Sequence, residues 1–151
     1  MKASSTAFGA ADILLPHNTD MSKWAVVACD QFTSQPEYWE DAASIVGDAP
    51  SALKLILPEA YLESDDSEKR IGDIRKAMDD YLAKGIFKEY KDSMIYIERT
   101  DSTGKVRCGL VGMIDLEQYD FRKGSTSPVR ATEATVAERI PPRLKVRRGA
   151  A

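Results

Sequence analysis

A short turn-forming segment is the feature that most constrains the fold of this 151-residue chain. Residues 101–104, Asp-Ser-Thr-Gly, separate two runs rich in β-branched and aromatic residues, 93–100 and 105–116. A turn of this composition between two such runs is typical of a β-hairpin. Gly109 and Gly112 lie inside the second run, where a glycine marks a bulge or a close approach of another backbone. We therefore predict that the two runs pair as a hairpin.

Two helices are predicted from the spacing of apolar residues and from their end signals. Over residues 65–84 the apolar positions recur every 3.6 residues, so one face of that helix is expected to be buried. A second helix is predicted over 34–47, with a proline in its first turn and a glycine at its end. Trp39 in this helix is predicted to be a core residue. Together with the hairpin, these helices predict the α+β class, with a mixed sheet and two or three helices.

An apolar run at residues 24–29 predicts a buried strand, because both of its faces are apolar. Asp30 and Gln31 follow directly. Polar residues at the end of a buried strand are often ligand-binding residues in α/β folds. The alternative is that Asp30 accepts hydrogen bonds from the backbone of a local turn. Both interpretations are open at this point.

The charge of the chain is divided unevenly along its length. Residues 1–121 carry 13 Lys and Arg against 22 Asp and Glu, whereas residues 122–151 carry 8 against 2. We therefore predict an acidic α+β body over 1–121 and a basic segment over 122–151. Nucleic acid is not an expected partner, because the basic segment has none of the aromatic residues that single-strand binders interleave with their cations.

Composition narrows the class of protein further. The chain is 43% hydrophobic and 30% charged, which is typical of a soluble globular protein. No apolar run approaches the roughly 20 residues of a membrane helix, and no signal-peptide pattern occurs, so a cytoplasmic protein without a membrane partner is predicted. Cys29 and Cys108 are expected to be reduced and buried. With two cysteines and one histidine, no metal site is predicted.

The basic segment contains the candidate site. Arginine forks bind carboxylates and phosphates in bidentate geometry, and a helix beginning near Thr135 would direct its first N–H groups toward an anion. A second helix opening at Pro141 is expected to be incomplete. The alternative is that an arginine–glutamate network fastens the segment to the acidic body. The residues predicted to face a ligand are Arg130, Thr132, Glu133, Thr135, Arg139 and Arg143, with Asp30 and Gln31 as further candidates.

Two stretches, 26–39 and 129–143, resemble an uncharacterised prokaryotic family, domain of unknown function 1015. Members of that family are much longer. Downstream they carry an Asp-Gly-Asn-His or Asp-Gly-His-His motif, which is similar to that of free-serine kinases in the ParB and sulfiredoxin superfamily. The resemblance implies that full-length members bind a nucleotide such as ADP or ATP and transfer a phosphoryl group.

The sequence departs from that pattern because no Asp-Gly-x-His occurs in it, and its one histidine is His17. The resemblance therefore implies an N-terminal portion that is not active alone, with a missing C-terminal half as its partner and no catalytic residue that can be named. Two functions are predicted as alternatives. One is the nucleotide- or phosphometabolite-binding portion of a kinase-like phosphotransferase, and the other is a non-enzymatic binding or partner-docking module.

Overall fold

A computed structural model describes residues 7–134 and 136–148 of the chain. Within these residues the α-helices are α1 (Pro36–Val46), α2 (Ser67–Ala83) and α3 (Ile140–Arg147). The strands are β1 (Phe8–Gly9), β2 (Ala11–Pro16), β3 (Phe87–Ser93), β4 (Ile95–Thr100), β5 (Val106–Val111), β6 (Met113–Ile114), β7 (Tyr119–Asp120) and β8 (Val129–Arg130). Short 3-10 helices cover Met21–Lys23, Ala52–Leu55, Glu59–Tyr61, Leu116–Gln118 and Ala137–Arg139. The predicted α+β class is confirmed.

The strands of the described ranges pair two by two. β1 pairs with β6 and β4 pairs with β5, both antiparallel, whereas β7 and β8 are parallel and β2 pairs with β3. The hairpin is confirmed as the pairing of β4 with β5. Its turn is closed by Asp101, whose carboxylate accepts hydrogen bonds from the N–H groups of Thr103 at 2.8 Å and Lys105 at 3.0 Å. The Thr103 hydroxyl, which donates to the same carboxylate at 2.6 Å, is the main cause that lowers the pKa of Asp101, and the two N–H bonds lower it further.

The chain forms two compact units. Of the described residues, 7–15 and 89–134 form one unit, here called the strand unit, and 16–88 and 136–148 form the other, the helix unit. All three α-helices belong to the helix unit, which is therefore assembled from two separate parts of the chain. The predicted division into an acidic body over 1–121 and a basic segment over 122–151 stays a prediction. It rests on charge composition, whereas the two units are defined by contacts.

The apolar core lies in the helix unit. Ile71 and Ile74 of α2 are buried, as the spacing predicted, and Val146 of α3 packs against them together with Leu57. The other buried apolar residues of the described chain are Trp39, Val46, Tyr81 and Ile86. The burial of Trp39, at 3% exposed, confirms it as a core residue.

The predicted strand at 24–29 is wrong. This segment has no strand partner, and Val26 is 77% exposed. Single hydrogen bonds replace a ladder: the Ala25 N–H donates to Ser51 Oγ at 3.0 Å, and the carbonyl of Cys29 accepts from the Glu59 N–H at 2.8 Å. Apolar composition alone does not make a strand when no extended neighbour lies alongside.

The two cysteines are free, but only one is partly buried. Cys29 is only partly buried and Cys108 is exposed on β5, so the prediction that both are buried is wrong. The strand of Cys108 belongs to a two-stranded hairpin, and every residue of that strand, Val106–Val111, is exposed. No described helix is long and apolar enough to cross a membrane.

Gly112 marks the close backbone approach that the sequence predicted, and Gly109 does not. A Cβ added to Gly112 would collide with the carbonyl oxygen of Gly9 and lie 2.9 Å from Cζ of Phe8, whereas a Cβ on Gly109 would meet no described atom within 4 Å. We expect Gly112→Ala to lower the free energy of unfolding by about 1–3 kcal/mol through overpacking. Urea denaturation measures this, with Gly109→Ala as the control. Equal effects of the two substitutions would contradict the expectation.

Candidate functional site

The C-terminal helix is held by a buried carboxylate. Glu59, in the 3-10 helix Glu59–Tyr61, has a side chain that is only 4% exposed. Arg143 of α3 donates from Nη2 to its Oε1 at 2.7 Å, and Arg139, one helical turn earlier, forms an ion pair with Oε2. Two guanidinium groups thus compensate one carboxylate that is out of water, which is the condition under which burial of a charge is tolerated.

A second set of contacts connects α3 with α2. Lys145 forms an exposed ion pair with Glu68, and the guanidinium of Arg75 donates to the carbonyl of Lys145. For Arg139 and Arg143 this geometry matches the predicted alternative, an arginine–glutamate network that fastens the segment to the body. The glutamate that both arginines contact is Glu59, which is distant in sequence, whereas Glu68 pairs with Lys145. A ligand-binding role for the two arginines stays a prediction.

A cavity of about 540 Å³ lies beside the ion pair of Glu59 with Arg143, and both residues line it. Its wall is largely apolar and includes Leu57, Met78 and Val146. Charged side chains also line it, namely Asp30, Glu59, Arg143 and Arg147. The cavity therefore combines a surface suited to a carbon skeleton with cationic groups suited to an anion.

Two of these charged groups have no partner inside the described chain. Within residues 7–134 and 136–148, the side chains of Asp30 and Arg147 form no hydrogen bond and no ion pair, and both residues are exposed. Arg147 was not among the predicted ligand-facing residues. Its spacing of four from Arg143 places the two on one face of a helix and was the signal that could have identified it.

The remaining predicted residues lie elsewhere. Gln31 is exposed and does not line the cavity, and its N–H donates to the carbonyl of Ala28 at 3.0 Å. Arg130, Thr132 and Glu133 belong to the strand unit, whereas Thr135 lies outside the described residues.

Arg130 has only a weak local contact. It is on β8, opposite Asp120 of β7, and its Nη1 lies 3.5 Å from the carbonyl oxygen of Ser125. The nearby carboxylate of Asp120 is bound instead by Arg122, which donates from Nη2 at 2.8 Å. The hydrogen bonds from Arg122 hold the pKa of Asp120 well below its usual range. Asp120 is therefore ionised and already paired, so it does not serve as a proton donor at neutral pH.

The geometry and the comparisons together define what kind of protein this is. It is an α+β protein of two compact units. In its helix unit, the buried carboxylate of Glu59 forms ion pairs with Arg139 and Arg143. A cavity with a largely apolar wall lies beside it. The chain belongs to the family described as "Protein of unknown function (DUF1015)", whose family model matches residues 12–151. The resemblance found in the sequence is thereby confirmed. Neither the curated proteins nor the solved structures contain a match to the chain.

Proposed function

We propose that the cavity beside α3 binds a small anionic metabolite, either a nucleotide or another phosphorylated compound. The observation that carries the proposal is that Arg143 and Arg147 line the same cavity, while Arg147 has no partner in the described residues. Guanidinium groups bind phosphate oxygens through paired hydrogen bonds. The Glu59 carboxylate holds Arg143 in place, so little side-chain freedom is lost when a ligand arrives.

The size and lining of the cavity also support this proposal. Its volume of about 540 Å³ lies within the range of small-molecule sites. Leu57, Met78 and Val146 offer an apolar surface for a base or another carbon framework, and the carboxylate of Asp30 accepts a hydrogen bond from a ligand hydroxyl or amino group. We extend the proposal to phosphoryl transfer only for the full-length protein, and we assign no catalytic residue in this chain.

We expect millimolar ADP or ATP to raise the melting temperature. At a ligand concentration one hundred times the Kd, binding to the folded state adds about 2.7 kcal/mol, or about 5–10 °C for a domain of this size. Arg147→Ala should remove most of the shift. Arg148→Ala is the matched control, because it removes the same charge from the next position, which does not line the cavity.

Differential scanning fluorimetry across ADP, ATP and inorganic phosphate measures the effect. A shift with the nucleotides but not with phosphate would identify a ligand that needs the apolar wall. Equal loss of the shift in Arg147→Ala and Arg148→Ala would mean general charge attraction and would contradict the proposed site. The absence of any shift in the unaltered chain would contradict binding by this chain.

The partner-docking alternative is favoured by a different observation, which concerns the strand unit. Its described residues include none of the buried apolar side chains, whereas Leu116 and Phe121 are largely exposed. Exposed large apolar side chains of this kind support the proposal that the strand unit docks a partner.

A further inference from the structure

The hairpin presents two arginines side by side with no carboxylate between them. Arg99 of β4 and Arg107 of β5 are directly opposite in the antiparallel register, so their side chains project from the same face. Like charges in such a pair repel each other. In the part of the chain that the structure describes, neither guanidinium has a hydrogen-bond or ion-pair partner, and both residues are exposed.

The rest of that face is apolar. The register places Ile95 opposite Val111 and Ile97 opposite Gly109. An apolar region about 13 Å long, at 3.3–3.4 Å per residue, therefore runs along the strands from Ile95 to the arginines. Beside Gly109 the face has a gap, since a Cβ built there would touch no described atom within 4 Å.

One edge of the hairpin is open along these same residues. Among the described strands β5 pairs with β4 alone, so the outward backbone groups of Val106–Val111 have no ladder partner. An unpaired edge of this kind accepts an extended segment as an additional strand, with backbone hydrogen bonds supplying affinity and alternate side chains supplying specificity.

We propose that β5 binds an extended acidic–apolar segment of a partner protein as a third, antiparallel strand. The segment places an apolar side chain beside Val111, a large apolar side chain over the gap at Gly109, and a carboxylate beside Arg107. A bulky cross-strand side chain covers an edge glycine effectively. The carboxylate also lies within reach of Arg99, so that it relieves the repulsion between the two guanidinium groups.

A second copy of this chain does not have the required chemistry. Antiparallel pairing of β5 with its own copy about Gly109 would set Arg107 beside Val111 of the other molecule, and the arginine charges would stay uncompensated. The face itself carries no carboxylate, because its residues are Ile95, Ile97, Arg99, Arg107, Gly109 and Val111. Charge complementarity therefore favours an acidic partner.

The test uses a fluorescein-labelled seven-residue peptide with isoleucine, phenylalanine and glutamate at its second, fourth and sixth positions and threonine elsewhere. Fluorescence anisotropy should show saturable binding to the whole chain. The double variant Arg99→Glu with Arg107→Glu should lose at least about tenfold in affinity, because two attractive contacts become repulsive. The control with Lys76→Glu and Lys123→Glu changes the same number of exposed charges outside the hairpin and should bind normally.

Two further measurements keep the test independent of folding defects. Gly109→Val introduces a strand-favouring residue into open space, so the hairpin stays formed while the gap is filled, and peptide affinity should fall. A peptide with lysine in place of glutamate should bind the Arg99→Glu, Arg107→Glu variant better than it binds the unaltered chain. Circular dichroism verifies that each variant is folded.

Three outcomes would overturn the proposal. The first is no peptide binding at millimolar concentration, and the second is binding that is unaffected by both the arginine replacements and Gly109→Val. The third is a dimer in sedimentation equilibrium that dissociates when Arg99 and Arg107 are replaced, since a second copy would then be the occupant.

Discussion

Replacing Arg139 and Arg143 together by alanine is expected to lower the free energy of unfolding by about 3–5 kcal/mol. The two arginines are the ion-pair partners of Glu59, whose side chain is nearly excluded from water. Their removal would leave a buried carboxylate without compensation, which costs far more than the loss of an exposed pair. The expected structural result is release of α3 from the helix unit. Urea denaturation followed by tryptophan fluorescence measures the loss.

Two comparisons isolate this mechanism. Lys145 lies on the same helix as the two arginines, and Lys145→Ala breaks only its exposed pair with Glu68 of α2, which should cost at most about 1 kcal/mol. Adding Glu59→Gln to the double arginine variant removes the uncompensated charge and should recover part of the loss. If the double variant were no less stable than Lys145→Ala, Glu59 would not be the group that holds α3.

Replacing Trp39 by alanine is the second substitution with a large expected effect, a loss of about 3–5 kcal/mol. The indole is buried, and its Nε1–H donates to the carbonyl of Phe32 at 3.2 Å. Its ring also packs edge to face against the ring of Tyr38, with 5.6 Å between the two ring centroids. Truncation would leave a cavity and remove one of two hydrogen bonds to the Phe32 carbonyl, which also accepts from the Gln35 N–H at 3.1 Å.

The matched control for Trp39 lies on the same helix. Ile45 is 65% exposed, so Ile45→Ala should change stability by no more than about 0.5 kcal/mol. Thermal and chemical denaturation of the two variants should therefore differ clearly. Similar stabilities would show that α1 does not contribute its tryptophan to the core.

Local signals made much of the fold predictable. The hairpin turn, the apolar face of α2 with Ile71 and Ile74, and the glycine that ends α1 each depend on residues close together in sequence, where propensity and spacing act directly. The failure at 24–29 has the opposite cause. Whether an apolar run forms a strand depends on a partner strand, and none is encoded within the run itself.

The candidate site was predictable only in part, for the same reason. Arg139 and Arg143 were identifiable from composition, but Glu59 precedes Arg143 by 84 residues, and no local pattern connects them. The side-by-side arrangement of Arg99 and Arg107 likewise became visible only once the hairpin register was known.

The two-part construction of the helix unit has a consequence during protein synthesis. Residues 89–135 separate its two parts, and at 5–20 residues per second a ribosome needs on the order of 2–10 s to translate them. Throughout that interval Leu57, Ile71 and Ile74 lack Val146, and the carboxylate of Glu59 lacks both arginines. The nascent helix unit therefore lacks α3 while these residues are translated. Slow codons between positions 89 and 135 would lengthen the time for which the incomplete unit is exposed to chaperones and proteases.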